Sequence, residues 1–276
     1  MFLKKHKFKL IPLLVLICAF ANPISAVFAE NEIRYLGEGA YWQDNETVYC
    51  DSVEVTSYKI PSKVPMYTNT DVAKDNTCAP TAGANVVGYY DRWCRELIPD
   101  FEPGRAYGPV YIFSSITSNT QIQSMFDSLY SLMETNVGSA GTSQRQFQNG
   151  LTRYANEKGY KTSFQSVASG GKVNLSALET QLKAGKIGVM FCSAYNFVSN
   201  IMNNGTNVAI MRRSSNTHHM LVAYGYSVYR YYRNNQCFRT DTFLDVASCT
   251  NLAQFYQIDL GGHLDLQDMM IVEIKE

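Results

Sequence analysis

Residues 76–82 are Asn-Thr-Cys-Ala-Pro-Thr-Ala and stand directly before a helical pattern that runs from Thr81 to Leu97. Proline is well tolerated in the first turn of a helix, so Pro80 predicts that Cys78 lies at or next to a helix N-terminus. The unpaired backbone amides and the macrodipole of that terminus favour an anion, which predicts a reactive thiol. The alternative is a structural cysteine, either buried or half of a disulfide bond.

Residues 219–226 are His-Met-Leu-Val-Ala-Tyr-Gly-Tyr, an apolar strand pattern that begins with a histidine. His219 follows Cys78 by 141 residues, inside the gap of about 130–150 residues between cysteine and histidine in papain-type enzymes. A thiol at a helix start and a histidine at a strand start are typical of the nucleophile and general base of a cysteine hydrolase. The neighbouring His218 is expected to point away, because successive strand residues alternate between two faces.

Helical patterns occupy the first half of the chain and strand patterns the second half, which predicts an α+β fold. Apolar residues at helical spacing predict helices over 81–97, 121–134, 143–158 and 174–182. Apolar runs predict strands over 53–60, 160–167, 187–192, 219–226, 243–247 and 269–274, and Asn234-Asn235 is typical of a tight hairpin turn. The Ser/Asn-rich segment 193–217 is interpreted as a loop that, with residues 99–120, forms the walls of a substrate pocket.

The composition is that of a folded protein without a broad charge pattern. Of the 276 residues, 46% are hydrophobic and 17% are charged, which excludes intrinsic disorder. Lys+Arg number 24 and Asp+Glu also number 24. A formal net charge of zero argues against the electrostatic pattern of a nucleic-acid-binding protein, so no nucleic-acid partner is expected.

The first 29 residues have the pattern of a secretory signal peptide. Four lysines within residues 4–9 precede an uncharged apolar run over 10–21, and small residues follow. Twelve apolar residues are too few to span a membrane, which takes roughly 20. We therefore predict a signal peptide over 1–29, an N-terminal accessory segment over 30–60 and a catalytic domain over 61–276. The mature chain is expected to be secreted and not inserted in a membrane.

Six cysteines follow the predicted signal peptide, at positions 50, 78, 94, 192, 237 and 249. An exported protein can form disulfide bonds, but if Cys78 is the nucleophile, at least one other thiol is unpaired. Cys94 and Cys192 lie in apolar patterns and are expected to be free, whereas Cys237 and Cys249 are the candidate pair. The sequence has no Cys or His spacing typical of a metal site, so neither a metal nor a cofactor is predicted.

Residues 64–69 (Val-Pro-Met-Tyr-Thr-Asn) and 77–82 (Thr-Cys-Ala-Pro-Thr-Ala) resemble the entry segment and Cys-Gly-Pro-Thr motif of bacterial papain-fold cysteine peptidases. The nearest group is similar to the peptidase domains of bacteriocin-processing transporters, whose histidine strand resembles residues 219–226. The resemblance covers residues 60–260. It implies a papain-like fold, in which a helical half is followed by an antiparallel sheet half, and a peptide or protein substrate.

The resemblance also implies an oxyanion-stabilising residue. Asn69 stands where the family has a glutamine, and asparagine offers the same amide donor one methylene shorter. Asn76 is the rival donor, and either residue has an alternative role as a turn asparagine. Ala79 stands where the family commonly has glycine after the cysteine, which is a mild change.

A third catalytic residue is less clearly specified. Asp245 lies on the strand where the family has an Asp or Asn that orients the histidine. A tight hairpin turn in the preceding segment would instead bring His219 near Ser248 and Thr250, and Asp245 would then face away unless a bulge intervenes. The site would in that case work as a Cys–His pair, or it would be inert.

These residues together predict a secreted cysteine hydrolase, with a peptidase as the first hypothesis. Cys78 attacks a carbonyl as a thiolate, His219 carries the proton, and an acyl-enzyme thioester is hydrolysed. A depressed pKa is expected for Cys78 and a raised pKa for His219, with Asp75 facing solvent. Two alternatives are a cell-wall amidase or transpeptidase of the same chemistry, and a secreted binding domain with an inert site.

Overall fold

Four α-helices dominate the first half of the described chain. The computed structural model describes residues 41–62, 64–102, 114–250 and 256–276, so the predicted signal peptide and the start of segment 30–60 lie outside the described residues. The helices are α1 (Cys78–Tyr90), α2 (Thr120–Leu132), α3 (Gln144–Glu157) and α4 (Leu175–Lys183), with 3₁₀ turns at Arg95–Leu97 and Ile116–Ser118. The four predicted helices are confirmed, although α1 begins earlier and ends before the predicted position. None of the described helices is both long and apolar enough to cross a membrane.

Side-chain caps explain where three of these helices begin. Asn119, Ser143 and Asn174 cap α2, α3 and α4 through side-chain oxygens that accept hydrogen bonds from first-turn amides. Helix α1 differs, since the side chain of Thr77 makes no capping hydrogen bond. The first amides of α1 therefore stay available to the Cys78 thiol or to a ligand.

Thirteen described strands follow one another along the chain. They are β1 (Tyr41–Tyr49), β2 (Ser52–Lys59), β3 (Tyr67–Thr68), β4 (Ser114–Ser115), β5 (Lys161–Ser166), β6 (Ala168–Ser169), β7 (Lys172–Val173), β8 (Ile187–Asn203), β9 (Asn207–Ser215), β10 (His219–Arg233), β11 (Gln236–Ala247), β12 (Tyr256–Asp259) and β13 (Asp265–Lys275). Nine form one sheet in the order β1-β9-β8-β12-β11-β10-β2, with β13 joined to β8 and β5. All pairs in this sheet are antiparallel, which confirms the α+β class. Two small sheets join β3 to β4 and β6 to β7.

Strand β8 crosses the sheet and closes part of it into a ring. Its first half pairs with β10 and β13, and its second half pairs with β9 and β12. Strand β12 also pairs with β11, and β11 pairs with β10. The strands β8, β12, β11 and β10 therefore form a closed circuit of neighbours at the centre of the sheet.

The predicted loop over 193–217 is wrong, because this segment forms most of β8 and all of β9. The two strands meet at a turn that contains Asn204 and Gly205, with Gly205 at a φ of 92°. Asn-Gly between two apolar segments is a strong hairpin signal, and it outweighs the Ser and Asn content that suggested a loop. The segment builds the sheet instead of a pocket wall, and residues 103–113 of the other predicted wall lie outside the described residues.

The hairpin of β10 and β11 decides what lies opposite His219. Asn234 and Asn235 have left-handed backbone angles, with φ of 50° and 59°, which confirms the predicted tight turn. Two register shifts follow along the hairpin. They cancel, since Phe238 is the extra residue of β11 at one shift and Tyr224 is the extra residue of β10 at the other. The first residue of β10 therefore lies opposite the segment that follows β11.

Helix α1 forms the centre of the main core. It is buried from Ala79 to Tyr90 and packs against β10, β13, α2 and α3. A helix covered on all sides needs small or apolar residues all round, and the sequence of α1 supplies them. A second, smaller core joins β1, β8, β9, β10 and β11 through Val48, Val198, Val208, Ile210, Tyr231 and Phe243.

The described part of segment 30–60 belongs to the main sheet. Strand β1 pairs with β9 and strand β2 pairs with β10. The carboxylate of Glu46 on β1 also accepts hydrogen bonds from Arg212 and Arg239. The segment predicted as accessory thus supplies both ends of the central strand order.

Candidate active site

Cys78 is the first residue of α1, and its side chain is half-buried. The backbone amides of Ala79, Met220 and Cys78 itself act as hydrogen-bond donors toward the sulfur, and each lowers the pKa of the thiol. Burial acts in the opposite direction and outweighs these amides, so the pKa of Cys78 lies above its ordinary value. The predicted depression of the Cys78 pKa is therefore wrong.

Met220 connects the thiol to the strand that carries the predicted base. It is the second residue of β10 and directly follows His219. Cys192, which pairs with His219 across β8 and β10, has a raised pKa in part because Cys78 lies nearby. The packing of α1 against β10 thus brings the start of the Cys78 helix to the start of the His219 strand.

The imidazole of His219 is held by a backbone carbonyl. Its Nε2 lies 2.9 Å from the carbonyl oxygen of Ser248. A carbonyl oxygen can only accept a hydrogen bond, so Nε2 carries the proton and, in the neutral ring, Nδ1 is the unprotonated nitrogen. This is the tautomer in which Nδ1 can remove a proton from a nucleophile.

Aromatic side chains from β8 cover the His219 ring. Tyr195 stacks on it with ring centroids 5.5 Å apart, and Phe197 meets it edge-on at 6.3 Å. The histidine is only 9% exposed, and this burial lowers its pKa to about 4 even though the Ser248 carbonyl acts in the opposite direction. The predicted rise of the His219 pKa is wrong, and the resting pair at neutral pH consists of a thiol and a neutral imidazole.

Asn69 lies beside the start of α1. Its Nδ2 donates to Thr77 Oγ1 at 2.5 Å, and its backbone amide donates to the carbonyl of Cys249 at 3.1 Å. A side-chain amide has two N–H donors, so the contact with Thr77 leaves one for an oxyanion. The rival Asn76 donates its Nδ2 to Asn136 Oδ1 at 2.7 Å on the surface, whereas Asn69 is held against Thr77 at the start of α1.

Asp245 lies far from His219 along the sheet. It pairs with Gly225, six residues further along β10, which corresponds to about 20 Å of strand. Its carboxylate forms an ion pair with Lys59 at 3.1 Å and accepts a hydrogen bond from Gln257 at 3.0 Å. Asp245 does not orient the histidine, because the register of the hairpin brings a backbone carbonyl to that position instead.

Other residues around this region have surface positions. His218 is exposed and its Nδ1 accepts a hydrogen bond from Gln267 Nε2 at 3.2 Å, so it points away from the His219 ring as predicted. Asp75 is exposed before α1, as predicted, and its backbone carbonyl accepts a hydrogen bond from Tyr130 at 3.2 Å.

The six cysteines in the described part of the chain are all free. Cys94 and Cys192 are buried thiols, as predicted. The predicted pairing of Cys237 with Cys249 is wrong, because Cys237 lies at the start of β11 and Cys249 follows the end of the same strand. Among the residues described, no group of three or more His, Cys, Asp or Glu side chains is arranged to hold a metal ion.

Sequence reasoning placed His219 near Ser248 but missed the two aromatic residues that cover its ring. Tyr195 and Phe197 belong to the segment interpreted as a loop, and their alternation after a buried run is the signal that could have placed them on a strand. The contact with His219 uses the backbone carbonyl of Ser248, so the residue type at position 248 gives no signal of it.

Comparisons of the chain with models of protein families, with curated proteins and with solved structures find no match. The function is therefore inferred from the chain's own residues and their geometry.

Proposed function

We propose that this protein is an exported cysteine peptidase with a papain-like arrangement of Cys78 and His219. The observation that carries the proposal is the state of the histidine. Its Nε2–H donates to the Ser248 carbonyl, so Nδ1 is the basic nitrogen. The Cys78 thiol accepts a hydrogen bond from the backbone amide of Met220, the residue after His219 in β10. A histidine with one fixed protonated nitrogen at the start of β10, and a thiol at the uncapped start of the helix that packs on β10, are the two groups that a cysteine hydrolase requires.

The catalytic cycle starts from the neutral pair. As a substrate carbonyl approaches, Nδ1 of His219 takes the thiol proton, and the sulfur of Cys78 attacks the carbonyl carbon. The resulting imidazolium keeps its Nε2–H on Ser248, so the ring does not need to reorient. The charge of the oxyanion is stabilised by the backbone amide of Cys78 and by the side-chain amide of Asn69.

Collapse of the tetrahedral intermediate completes acylation. The C–N bond breaks, and Nδ1–H of His219 gives its proton to the leaving amine. Water then attacks the thioester, with His219 taking one of its protons and returning it to the sulfur of Cys78. The products are a carboxylic acid and the regenerated thiol, and the cycle uses no cofactor.

The fold around the pair supports a papain-like assignment for residues 61–276. A central buried helix begins with the nucleophile, and an antiparallel sheet carries the base at the start of a strand. The proposed substrate is a peptide or protein. Export is proposed from the basic and apolar pattern of residues 1–29.

The decisive experiment compares the wild type with Cys78→Ala on a mixed peptide library and on purified peptidoglycan under reducing conditions. Cys94→Ala is the matched control, since Cys94 is also buried and free but binds the Ile274 carbonyl instead. We expect peptide cleavage that falls by about 10³-fold or more in Cys78→Ala and is unchanged in Cys94→Ala. Equal turnover by the wild type and Cys78→Ala would contradict the proposal, and release of cell-wall fragments alone would identify an amidase.

A second candidate, an inert secreted binding domain, is favoured by the burial of both groups, which keeps the pair neutral. Alkylation by iodoacetamide separates the two candidates. In an enzyme, Cys78 reacts faster in the wild type than in His219→Ala at neutral pH, because the imidazole accepts the thiol proton. Equal rates in the two proteins, together with no turnover of any substrate, would support the inert domain.

A further inference from the structure

We infer that Asn85 is a positioning residue that holds three parts of the proposed catalytic site in register, an inference that rests on the proposed function. Asn85 lies in α1, seven residues after Cys78, and is fully buried at 0% exposure. A buried side-chain amide is costly unless its donors and acceptor are bound. The side chain of Asn85 binds Tyr67 and Cys249, and each of these residues belongs to a segment that carries a group of the proposed site.

The first partner is the backbone of Tyr67 in β3. The amide of Tyr67 donates to Asn85 Oδ1 at 2.7 Å, and Asn85 Nδ2 donates to the carbonyl of Tyr67 at 3.2 Å. Two hydrogen bonds from one planar amide to one residue fix both the distance and the rotation of β3 relative to α1. Asn69, the proposed oxyanion donor, lies two residues beyond this contact.

The second partner is Cys249, in the segment after β11. Asn85 Nδ2 also donates to Cys249 Sγ at 3.6 Å. Cys249 has a left-handed backbone with φ of 66°, which is strained for a residue other than glycine, so it needs contacts that hold it. It directly follows Ser248, whose carbonyl binds His219, and its own carbonyl accepts the Asn69 amide at 3.1 Å.

The nucleophile, the oxyanion donor and the histidine anchor therefore come from three different parts of the chain, and Asn85 contacts each part. It touches neither substrate nor reacting atoms, so its effect is on distances between Cys78, Asn69 and Ser248. A misplacement of about 1 Å at such groups lowers the rate by up to about 100-fold. Asn85 is thus predicted to act on kcat through alignment, beyond its contribution to stability.

The test compares Asn85→Ser with Tyr154→Phe. The Tyr154 hydroxyl also makes a buried hydrogen bond, to the Leu97 carbonyl at 2.6 Å, but it does not contact the site, so it controls for lost stability. We expect both variants to melt at lower temperature, whereas Asn85→Ser alone lowers kcat at least tenfold with KM within about twofold. Equal kcat values in the two folded variants would overturn the inference.

The partner side of the contact offers a rescue. In Cys249→Ala the acceptor for Asn85 is lost, whereas in Cys249→Ser a hydroxyl oxygen can accept the same hydrogen bond. We expect kcat to fall in Cys249→Ala and to recover in Cys249→Ser. Equal losses in both variants would count against Asn85 acting through Cys249.

A readout without turnover separates this inference from the proposed function. In a Cys78→Ala background, NMR follows hydrogen exchange of the Asn69 amide and of the His219 Nε2–H. We expect Asn85→Ser to speed both exchanges at least tenfold more than Tyr154→Phe does. Faster exchange with no wild-type peptidase activity would uphold the positioning role and reject the peptidase, whereas unchanged exchange would reject the positioning role itself.

Discussion

A histidine bound to a backbone carbonyl has a different charge balance from one bound to a carboxylate. A carboxylate stabilises the imidazolium and raises the pKa of the ring, whereas the neutral Ser248 carbonyl offers His219 only a hydrogen bond. Stacking by Tyr195 and the depth of the site exclude water, and the ring stays neutral. In the proposed mechanism, proton transfer from Cys78 to His219 therefore accompanies substrate binding.

This neutrality makes stability depend on pH. The pKa of His219 is about 4 in the folded chain against an ordinary value of 6.5. Between these values the unfolded chain binds a proton that the folded chain does not, so stability falls as pH decreases from 6.5 to 4, by about 3 kcal/mol. His219→Gln removes the titration and keeps a donor for Ser248, so its urea unfolding should lack this slope. The same slope in both proteins would place the titrating group elsewhere.

The identities of Cys78 and His219, and their position at element starts, could be predicted from sequence. Their protonation could not, because it depends on burial, which for His219 comes from Tyr195 and Phe197 in the segment 193–217 that was interpreted as a loop. The role of Asp245 could not be predicted from its residue type either. Its residue type suited the role, but the hairpin pairs it with Gly225, about 20 Å along the strand from His219, and its carboxylate forms an ion pair with Lys59.

At the scale of elements, α1 has two unequal ends. Its N-terminus has no side-chain cap, and the amides of Cys78 and Ala79 act toward the sulfur, where partial positive charge supports an anion. Its C-terminus carries Asp91, a buried carboxyl that accepts a hydrogen bond from the Ile98 amide at 2.8 Å. Burial raises the pKa of Asp91 to about 7, and the partial negative charge of a helix C-terminus disfavours a carboxylate in the same direction.

Asp91→Asn should therefore stabilise the protein at alkaline pH. The folded chain holds a proton on Asp91 between pH 3.8 and about 7 that the unfolded chain loses. Stability in the wild type thus falls as pH rises through that window, by at most about 4 kcal/mol. Asparagine keeps the Oδ1 acceptor for Ile98 without the charge. Thermal unfolding at pH 5 and pH 8 measures the effect, and a variant less stable than wild type at pH 8 would contradict it.

The turns of the two long hairpins differ in how easily they can be predicted from the sequence. Asn204-Gly205 joins β8 to β9 and Asn234-Asn235 joins β10 to β11, and both turns use left-handed residues. The second turn is predictable because asparagine tolerates left-handed backbone angles. The first was missed because its strands contain the polar Ser193, Asn196 and Ser214, which the barrel-like circuit of strands and its hydrogen bonds accommodate.

Asn235→Gly is expected to stabilise the β10–β11 hairpin. Asn235 has a φ of 59°, a region that costs L-residues about 1 kcal/mol and glycine nothing. The gain is about 0.5 kcal/mol after the greater flexibility of unfolded glycine is counted, and Asn235→Ala should lose about the same amount. Urea unfolding of both variants checks the opposite signs. The same sign in both would mean that the turn is not of this type.

At the scale of the whole molecule, the sheet depends on chain that precedes the proposed catalytic domain. Strand β1 covers β9 and strand β2 covers β10, so residues 41–60 occupy both outer positions of the central strand order. Val48 completes the second core, and Glu46 shares Arg212, which is 5% exposed, with Asp259. The predicted boundary at residue 61 falls within one sheet, because β1 and β2 before it pair with β9 and β10 after it.

A chain of residues 61–276 should consequently be much less stable than one of residues 30–276. Without β1, the backbone edge of β9 is exposed beside Val208 and Ile210, which favours aggregation, and the buried Arg212 loses one of its two carboxylate partners. Soluble yield and thermal unfolding of the two chains measure this, and Glu46→Gln in the longer chain isolates the charge from the strand. We expect Glu46→Gln to unfold at a temperature between those of the two chains. If residues 61–276 alone are soluble and unfold at the same temperature as the longer chain, β1 and β2 are dispensable and segment 30–60 is a removable leader.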